Sequence, residues 1–341
     1  MNRISRRAPA WSALQTASLL LLCRLTAFFC CDAPYTAAYA QGMFAAALTE
    51  AALLLPLLLF RKSLRIPEPL LWGYRFFSLV SAAYLSARGF RLFCLLHLEA
   101  PHLFAGMFFL TLLFTVSRTQ AATARTAVLL LVTVSAAFLL LPVSGIRSAH
   151  MISLYTSGSF SDAFFREFRN SPETALFPLL ITRQKAKEQY APHACAVWLT
   201  GRLVILPLLV LFGAMQNGRL TAWKGSPFFL LLARTPLSDA IRTDGFWMLF
   251  AAGCSVLSIT FFLQQAMPPF RMPVRKLFSV MLPYPALTLF FLRTNRHGTG
   301  IGIAALSLGI LLPCMLLLIQ RIKSRMHYRM HYNSISERNL S

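Results

Sequence analysis

Charged side chains are scarce in this chain: they make up 13% of its 341 residues, and only 11 of them are acidic. Soluble domains carry about 25% charged residues, so the deficit excludes an ordinary water-soluble fold. Paired cysteines are missing too. None of the seven cysteines belongs to a Cys-x-x-Cys pair or has metal-ligand spacing, which argues against a disulfide framework or a zinc site. Cys23, Cys94, Cys195, Cys254 and Cys314 lie in or beside apolar runs, where cysteine behaves as a small hydrophobe. The adjacent pair Cys30-Cys31 sits at the edge of such a run, with packing, reversible lipidation and oxidation as the uses open to it.

Enzyme signatures are also lacking, and the chain is not expected to be an enzyme or to hold a cofactor. Gly298, Gly300 and Gly302 match part of a glycine-rich loop but precede a hydrophobic run and follow no strand, so helix packing suits them better. His97, Glu99 and His102 do not form a metalloprotease motif, and Pro101 breaks the helix that such a site needs. His327 and His331 are four residues apart in a basic tail, which suits a solvated segment near anionic lipid better than a metal site.

What the chain has is apolar length. It is 57% hydrophobic, contains 29 Phe and has a mean hydropathy of +0.60. Its net charge of +22 would point to nucleic acid in a soluble protein. Most of the basic residues lie between apolar runs, however, which points to membrane topology and lipid headgroups, and not to nucleic acid.

A membrane span needs about 20 apolar residues. Such runs occur at Trp11–Cys31, Met43–Phe60, Leu70–Leu98, His102–Val116 and Thr126–Val143. Others follow at Pro192–Met215, Ser238–Met267, Val274–Leu292 and Gly300–Gln320, while Gly225–Arg234 is too short to cross. Ala38-Tyr39-Ala40 before Gln41 resembles a signal-peptidase site, which leaves cleavage after Ala40 as an alternative for the first run. Arg24 interrupts that run, and its length favours a first transmembrane helix.

The remaining segment, Asp162–Ile181, has two short apolar pieces around a polar break, Arg169-Asn170-Ser171-Pro172-Glu173. Pro172 prevents a regular helix from running through it. Counting this segment as a sixth span gives ten, and the charges then sort. Nineteen of the 33 Lys and Arg fall in the inner connections, at the N-terminus, 61–65, 118–125, 183–187, 271–276 and in the tail, against six in the outer ones. Omitting the segment would invert every later loop, so the positive-inside bias requires it to cross.

The expectation is an all-α membrane protein with both termini cytoplasmic, a single membrane domain over 1–320 and a basic tail over 321–341. An interrupted sixth span of ten implies two inverted five-helix halves, about 11–143 and 148–320. This is the 5+5 inverted-repeat layout, of LeuT type, with helices 1 and 6 discontinuous and ligand bound near the midplane. The matching break in helix 1 falls near Arg24-Leu25-Thr26-Ala27.

Three segments carry a resemblance to a known family: SALQTASLLLLCRLTAF near the N-terminus, FFREFRNSPETALFPLLI in span 6, and SPFFLLLARTPLSDAIRTDGFWMLF leading into span 8. The last pairs an aromatic–Pro stretch with Arg242-Thr243-Asp244 and then Trp247. Together they resemble the spore germination permease family, the B-type membrane subunit of nutrient germinant receptors, within the amino acid–polyamine–organocation transporter superfamily. The resemblance implies a subunit that binds a small nutrient, such as an amino acid, in a central cavity. It also implies signalling to A-type and C-type partner subunits in the inner spore membrane. An amino-acid or organic-cation transporter of the same superfamily, and a scaffold subunit with no ligand of its own, are the alternatives.

Candidate ligand contacts follow from charge and polarity at membrane depth. Arg24 and Glu173 are the sharpest pair, with Thr26, Ser171, Tyr84 and Ser258 as polar neighbours. Arg24 pairs with Glu173 or takes a ligand carboxylate, while Glu173 receives an amino group. A structural salt bridge and snorkelling of Arg24 are the competing uses. Pro172, Arg242 and Asp244 are read as structural or partner contacts. Arg75, Arg88, Arg91 and Arg202 face either the cavity or an interface, and Ser255 and Thr260 either line the cavity or bond to the preceding turn.

Overall fold

The computed structural model describes residues 12–30, 35–60, 64–95, 119–145, 158–183, 190–217, 244–267, 279–294 and 299–323, with single positions at 106, 108, 110, 111, 114 and 326. Among these residues every regular element is a helix. The stretches Gly225–Arg234, His97–His102 and His327–His331, the cysteine Cys31, and Arg242 lie outside them.

The helix starts follow local chemistry. α1 (Ala13–Phe29) opens on a capping box, in which Ser12 accepts from the Gln15 amide while the Gln15 side chain accepts from the Ser12 amide. α2 (Ala37–Leu59) is capped by the Thr36 hydroxyl. Its 23 residues extend about 34 Å at 1.5 Å each, enough for a bilayer core of about 30 Å. α3 (Glu68–Leu95) and α4 (Gln120–Gly145) follow.

After α5 (Phe160–Arg169) comes the break, a 3-10 turn over Pro172–Leu176, and then α6 (Phe177–Arg183). α7 (Tyr190–Thr200) and α8 (Leu206–Asn217) are joined by a π-helical turn, Gly201–Ile205. α9 (Asp244–Ala266) and α10 (Pro283–Thr294) precede α11 (Thr299–Leu306), which continues through a second π-helical turn, Ser307–Leu311.

Among the described residues, five helices are long and apolar enough to cross a membrane: Ala37–Leu59, Gln120–Ala137, His193–Met215, Leu249–Ala266 and Thr299–Lys323. Their outward faces are apolar as well. Leu53 and Leu55 on α2, Leu129 and Val132 on α4, Leu208 on α8 and Met315 and Leu318 beyond α11 are all exposed. A water-soluble protein rarely leaves so much apolar surface bare, so the coarse reading is an all-helical membrane protein.

Burial grades the helices from centre to rim. In α1 every residue from Thr16 to Cys30 is buried, as suits a helix with apolar residues all round. It packs against α9, α4, α7 and the 3-10 turn. The apolar window of α9 is 78% buried, whereas that of α4 is 22% buried, so α9 belongs to the centre and α4 to the rim. α2 lies against α5 and α8, and α3 against α9 and α10.

One expectation is corrected here. α1 is unbroken through Arg24-Leu25-Thr26-Ala27. That stretch contains neither Gly nor Pro, and the Thr26 hydroxyl donates back to the Leu22 carbonyl at 2.9 Å, as a threonine inside a helix does. The interruption after Arg169 is present.

Candidate functional site

The break is built by backbone groups that a continuous helix would have paired. The Asn170 amide closes α5 on the Arg166 and Glu167 carbonyls, at 3.1 Å each, and the Ser171 amide reaches the Phe168 carbonyl at 3.4 Å. Ser171 then turns the chain, with φ −115° and ψ 60°. Pro172 occupies the first position of the 3-10 turn, where a missing N–H costs nothing. Two glycines let neighbouring helices reach this point. A Cβ on Gly42 of α2 would lie 2.5 Å from the Ala163 Cβ of α5, and one on Gly309 would lie 2.5 Å from the Thr174 carbonyl oxygen.

Five charged side chains converge on the break from different elements, each no more than 1% exposed: Arg24, Glu50, Glu167, Glu173 and Arg202. Three of the 11 acidic residues in the chain are therefore spent here. Burying one unpaired ion costs several kcal/mol, which makes the pairing the decisive detail.

Arg24 forms a salt bridge with Glu167, donates to the Asn170 carbonyl at 2.5 Å and reaches the Ser171 hydroxyl at 3.4 Å. Arg202, on the π-helical turn, donates to Glu50 at 2.5 Å and to Ser171 at 3.0 Å, and approaches Glu167 at 3.5 Å. Its guanidinium also lies over the Trp198 ring, 5.1 Å from the centroid, and Trp198 stacks on Phe177. The Thr174 hydroxyl donates to the other Glu50 oxygen. Ser171 completes the knot by donating to the Glu167 carbonyl at 2.9 Å.

Glu173 is the exception. Neither of its oxygens has a hydrogen-bond partner, and the nearest cation is Arg202, at 4.0 Å. Its electrostatic neighbours include Arg24, Glu50 and the Cys23 thiol. An arginine of α3 reaches the same break. Arg88 donates to the Asn170 side-chain carbonyl at 2.6 Å, to the Cys30 carbonyl at 2.6 Å and to the Tyr84 hydroxyl at 3.2 Å. Asn170 is thus held between two arginines, its backbone oxygen by Arg24 and its side-chain oxygen by Arg88.

The structure gathers most of the residues expected at the site, but pairs them differently. Arg24 meets Glu167 directly instead of Glu173. Ser171 and Pro172 sit in the break. Thr26 and Ser258 are joined hydroxyl to hydroxyl at 2.9 Å, linking α1 to α9. Tyr84 touches the set through Arg88 and packs edge-on against Phe291. Ser255 bonds to the Ala251 carbonyl of the preceding turn. Arg91 lies away from the break and donates to the Phe291 and Leu292 carbonyls near the end of α10. Arg75 lies over the half-exposed Trp72 ring. Asp244 begins α9, and its side chain is outside the described residues.

Glu50, Glu167, Asn170 and Thr174 were not expected at the site. A signal for Glu50 existed, because it is the only charged residue in the apolar run Met43–Phe60 and a lone ionisable group at membrane depth marks a site by default. Arg202 carries the same signal within Pro192–Met215.

Among the described residues, no group of three His, Cys, Asp or Glu is arranged to hold a metal ion. Glu173 thus stands beside two arginines and two carboxylates with no hydrogen-bond donor on either oxygen. No family model matches the chain, and no curated protein matches it.

Proposed function

We propose that the protein is a multi-pass membrane subunit that recognises a small nutrient at the helix break and passes its occupancy to partner proteins. The observation that carries the binding reading is the convergence of Arg24, Glu50, Glu167, Glu173 and Arg202 on one interrupted helix. A purely structural ion network has little reason to leave a buried carboxylate without a hydrogen bond, because such a group is costly.

The nutrient and the partners come from the resemblance to the membrane subunits of germinant receptors. On that reading the A-type and C-type subunits receive the signal in the inner spore membrane. Both termini lie in the cytoplasm, ten spans cross the bilayer, and the halves 11–143 and 148–320 are inverted repeats. No covalent chemistry is involved. Ligand binding shifts the population between packings of the break against α1, α2 and α11.

Subunit exchange tests the proposal. Moving this chain between receptors of different nutrient specificity should carry the specificity with it. If specificity stays with the other subunits, the sensor reading fails. Substrate-driven uptake of a labelled amino acid into vesicles, with no effect on germination, would instead favour the transporter.

A further inference from the structure

We infer that Tyr74 of α3 is a positioning residue for the break. Its hydroxyl replaces the backbone donor that Pro313 takes from the helix of α11, and so holds the π-helical turn Ser307–Leu311 in the register that sets Gly309 against Thr174. The inference concerns how the break is packed and stands independently of any solute bound there.

The sequence supplies the reason for the turn. Pro313 lies inside a helix that runs from Thr299 to Lys323. A proline there has no N–H, and its ring collides with the carbonyl four residues back, which is that of Gly309. A π-helical turn, with bonds to the fifth residue back, is a local departure that lets such a helix continue. The Leu312 amide accordingly donates to the Ser307 carbonyl, where an α-helix would have directed it to Leu308. In the same pattern the Leu308 carbonyl would take its donor from residue 313, which is the proline. It is left without a backbone donor, and the Tyr74 hydroxyl donates to it at 2.6 Å. The same order of residues recurs in the turn that carries Arg202. There the Leu206 amide donates to the Gly201 carbonyl, and Pro207 follows.

Register decides what meets the break. A Cβ on Gly309 would lie 2.5 Å from the Thr174 carbonyl oxygen and 2.7 Å from its carbon, so a glycine is needed at this contact. The far end of the helix is anchored by Gln320, whose side chain donates to the Arg65 carbonyl at 2.8 Å and accepts from the Arg65 amide at 3.2 Å. Each residue of an α-helix advances about 100° around the axis. With the Gln320 end fixed, a regular α-helical path would swing Gly309 off the contact by about that angle. Leu308 or Ile310 would then approach Thr174, whose hydroxyl holds Glu50. Tyr74 is itself buried, so its hydroxyl is fixed from α3 and ties that helix to the break through α11.

The test is hydrogen–deuterium exchange of the purified full-length protein in lipid nanodiscs, read by mass spectrometry for wild type, Tyr74→Phe, Pro313→Ala and the double variant. Tyr74→Phe should speed exchange over 307–312 about fivefold, the factor that matches one ordinary hydrogen bond. It should also speed exchange over 173–177 at the break and leave 244–266 in α9 unchanged. Pro313→Ala gives the Leu308 carbonyl a backbone donor again, so adding Tyr74→Phe to it should change neither segment further. Faster exchange confined to 307–312 would overturn the inference, since Tyr74 would then satisfy one carbonyl without positioning the break. An equal effect of Tyr74→Phe in both backgrounds would overturn it by separating the hydroxyl from the proline, and so would no change in either segment. If Pro313→Ala does not fold, segment 173–177 in Tyr74→Phe decides by itself. No nutrient is added, so failure here leaves the solute-binding reading standing.

Discussion

At the residue scale, the five buried charges do unequal work. Glu50 and Glu167 satisfy arginines that would otherwise be buried alone. Glu50→Gln removes the charge facing Arg202, and breaking a buried pair costs about 3–5 kcal/mol. It should lower the midpoint of thermal unfolding in detergent markedly. Glu173→Gln should leave that midpoint unchanged or raise it slightly, since Glu173 accepts no hydrogen bond. Equal losses in the two variants would contradict the division between structural and ligand-facing carboxylates.

The same scale shows where sequence reading succeeded and where it stopped. Pro172 and Glu173 were legible because a proline and a carboxylate in an apolar segment are each anomalous alone. The partner of Arg24 was not, because Glu167 and Glu173 are both acids near one break, and spacing does not say which faces α1. The choice depends on where α5 ends, and the Asn170 and Ser171 backbone decides that.

At the element scale, the site depends on close approach. The 3-10 turn meets the π-helical turn of α11 at Gly309. Gly309→Ala would drive a Cβ into the Thr174 carbonyl, a backbone atom that cannot swing away. Overpacking of this kind costs about 1–3 kcal/mol, and it should distort the turn that carries Glu173. The expected result is a lower unfolding midpoint together with weaker ligand response, measured on the same preparation. Asn170→Ala removes the side-chain acceptor of Arg88 but keeps the backbone acceptor of Arg24. Losing a hydrogen bond to a charged group costs about 1.5–3 kcal/mol, so a smaller loss than that of Glu50→Gln is expected in the same unfolding measurement.

The elements also explain the failed expectation for α1. Symmetry with the sixth segment asks for a break, but symmetry is no local force. Without Gly or Pro, and with Thr26 bonding back to Leu22, the backbone stays helical. A helix that keeps its own hydrogen bonds can still present Arg24 to the break on its partner.

At the scale of the whole molecule, composition alone led to an all-helical membrane protein, because apolar runs and a charge deficit leave few other solutions. Among the described residues, five helices are long and apolar enough to span. α3 is 28 residues long but carries Glu68, Arg75, Arg88 and Arg91, and its polar positions face partners such as Asn170 and the end of α10. Hydropathy counts such a helix poorly, since what its charges touch is a tertiary fact. The proposed ten-span topology makes its own prediction. Single cysteines placed at 62, 185 and 275 in a cysteine-free background should be shielded from an impermeant maleimide applied outside, while those at 147 and 224 should react. Labelling at 185 or 275 would show that the broken segment does not cross.

The central claim is that the carboxylate of Glu173 meets the ligand, and one comparison tests it most directly. Dose–response curves for nutrient-triggered germination should be recorded for wild type and Glu173→Gln at matched membrane protein levels. The account predicts that the half-maximal nutrient concentration rises at least about tenfold in the variant, equivalent to 1.4 kcal/mol of binding. Superimposable curves would contradict it.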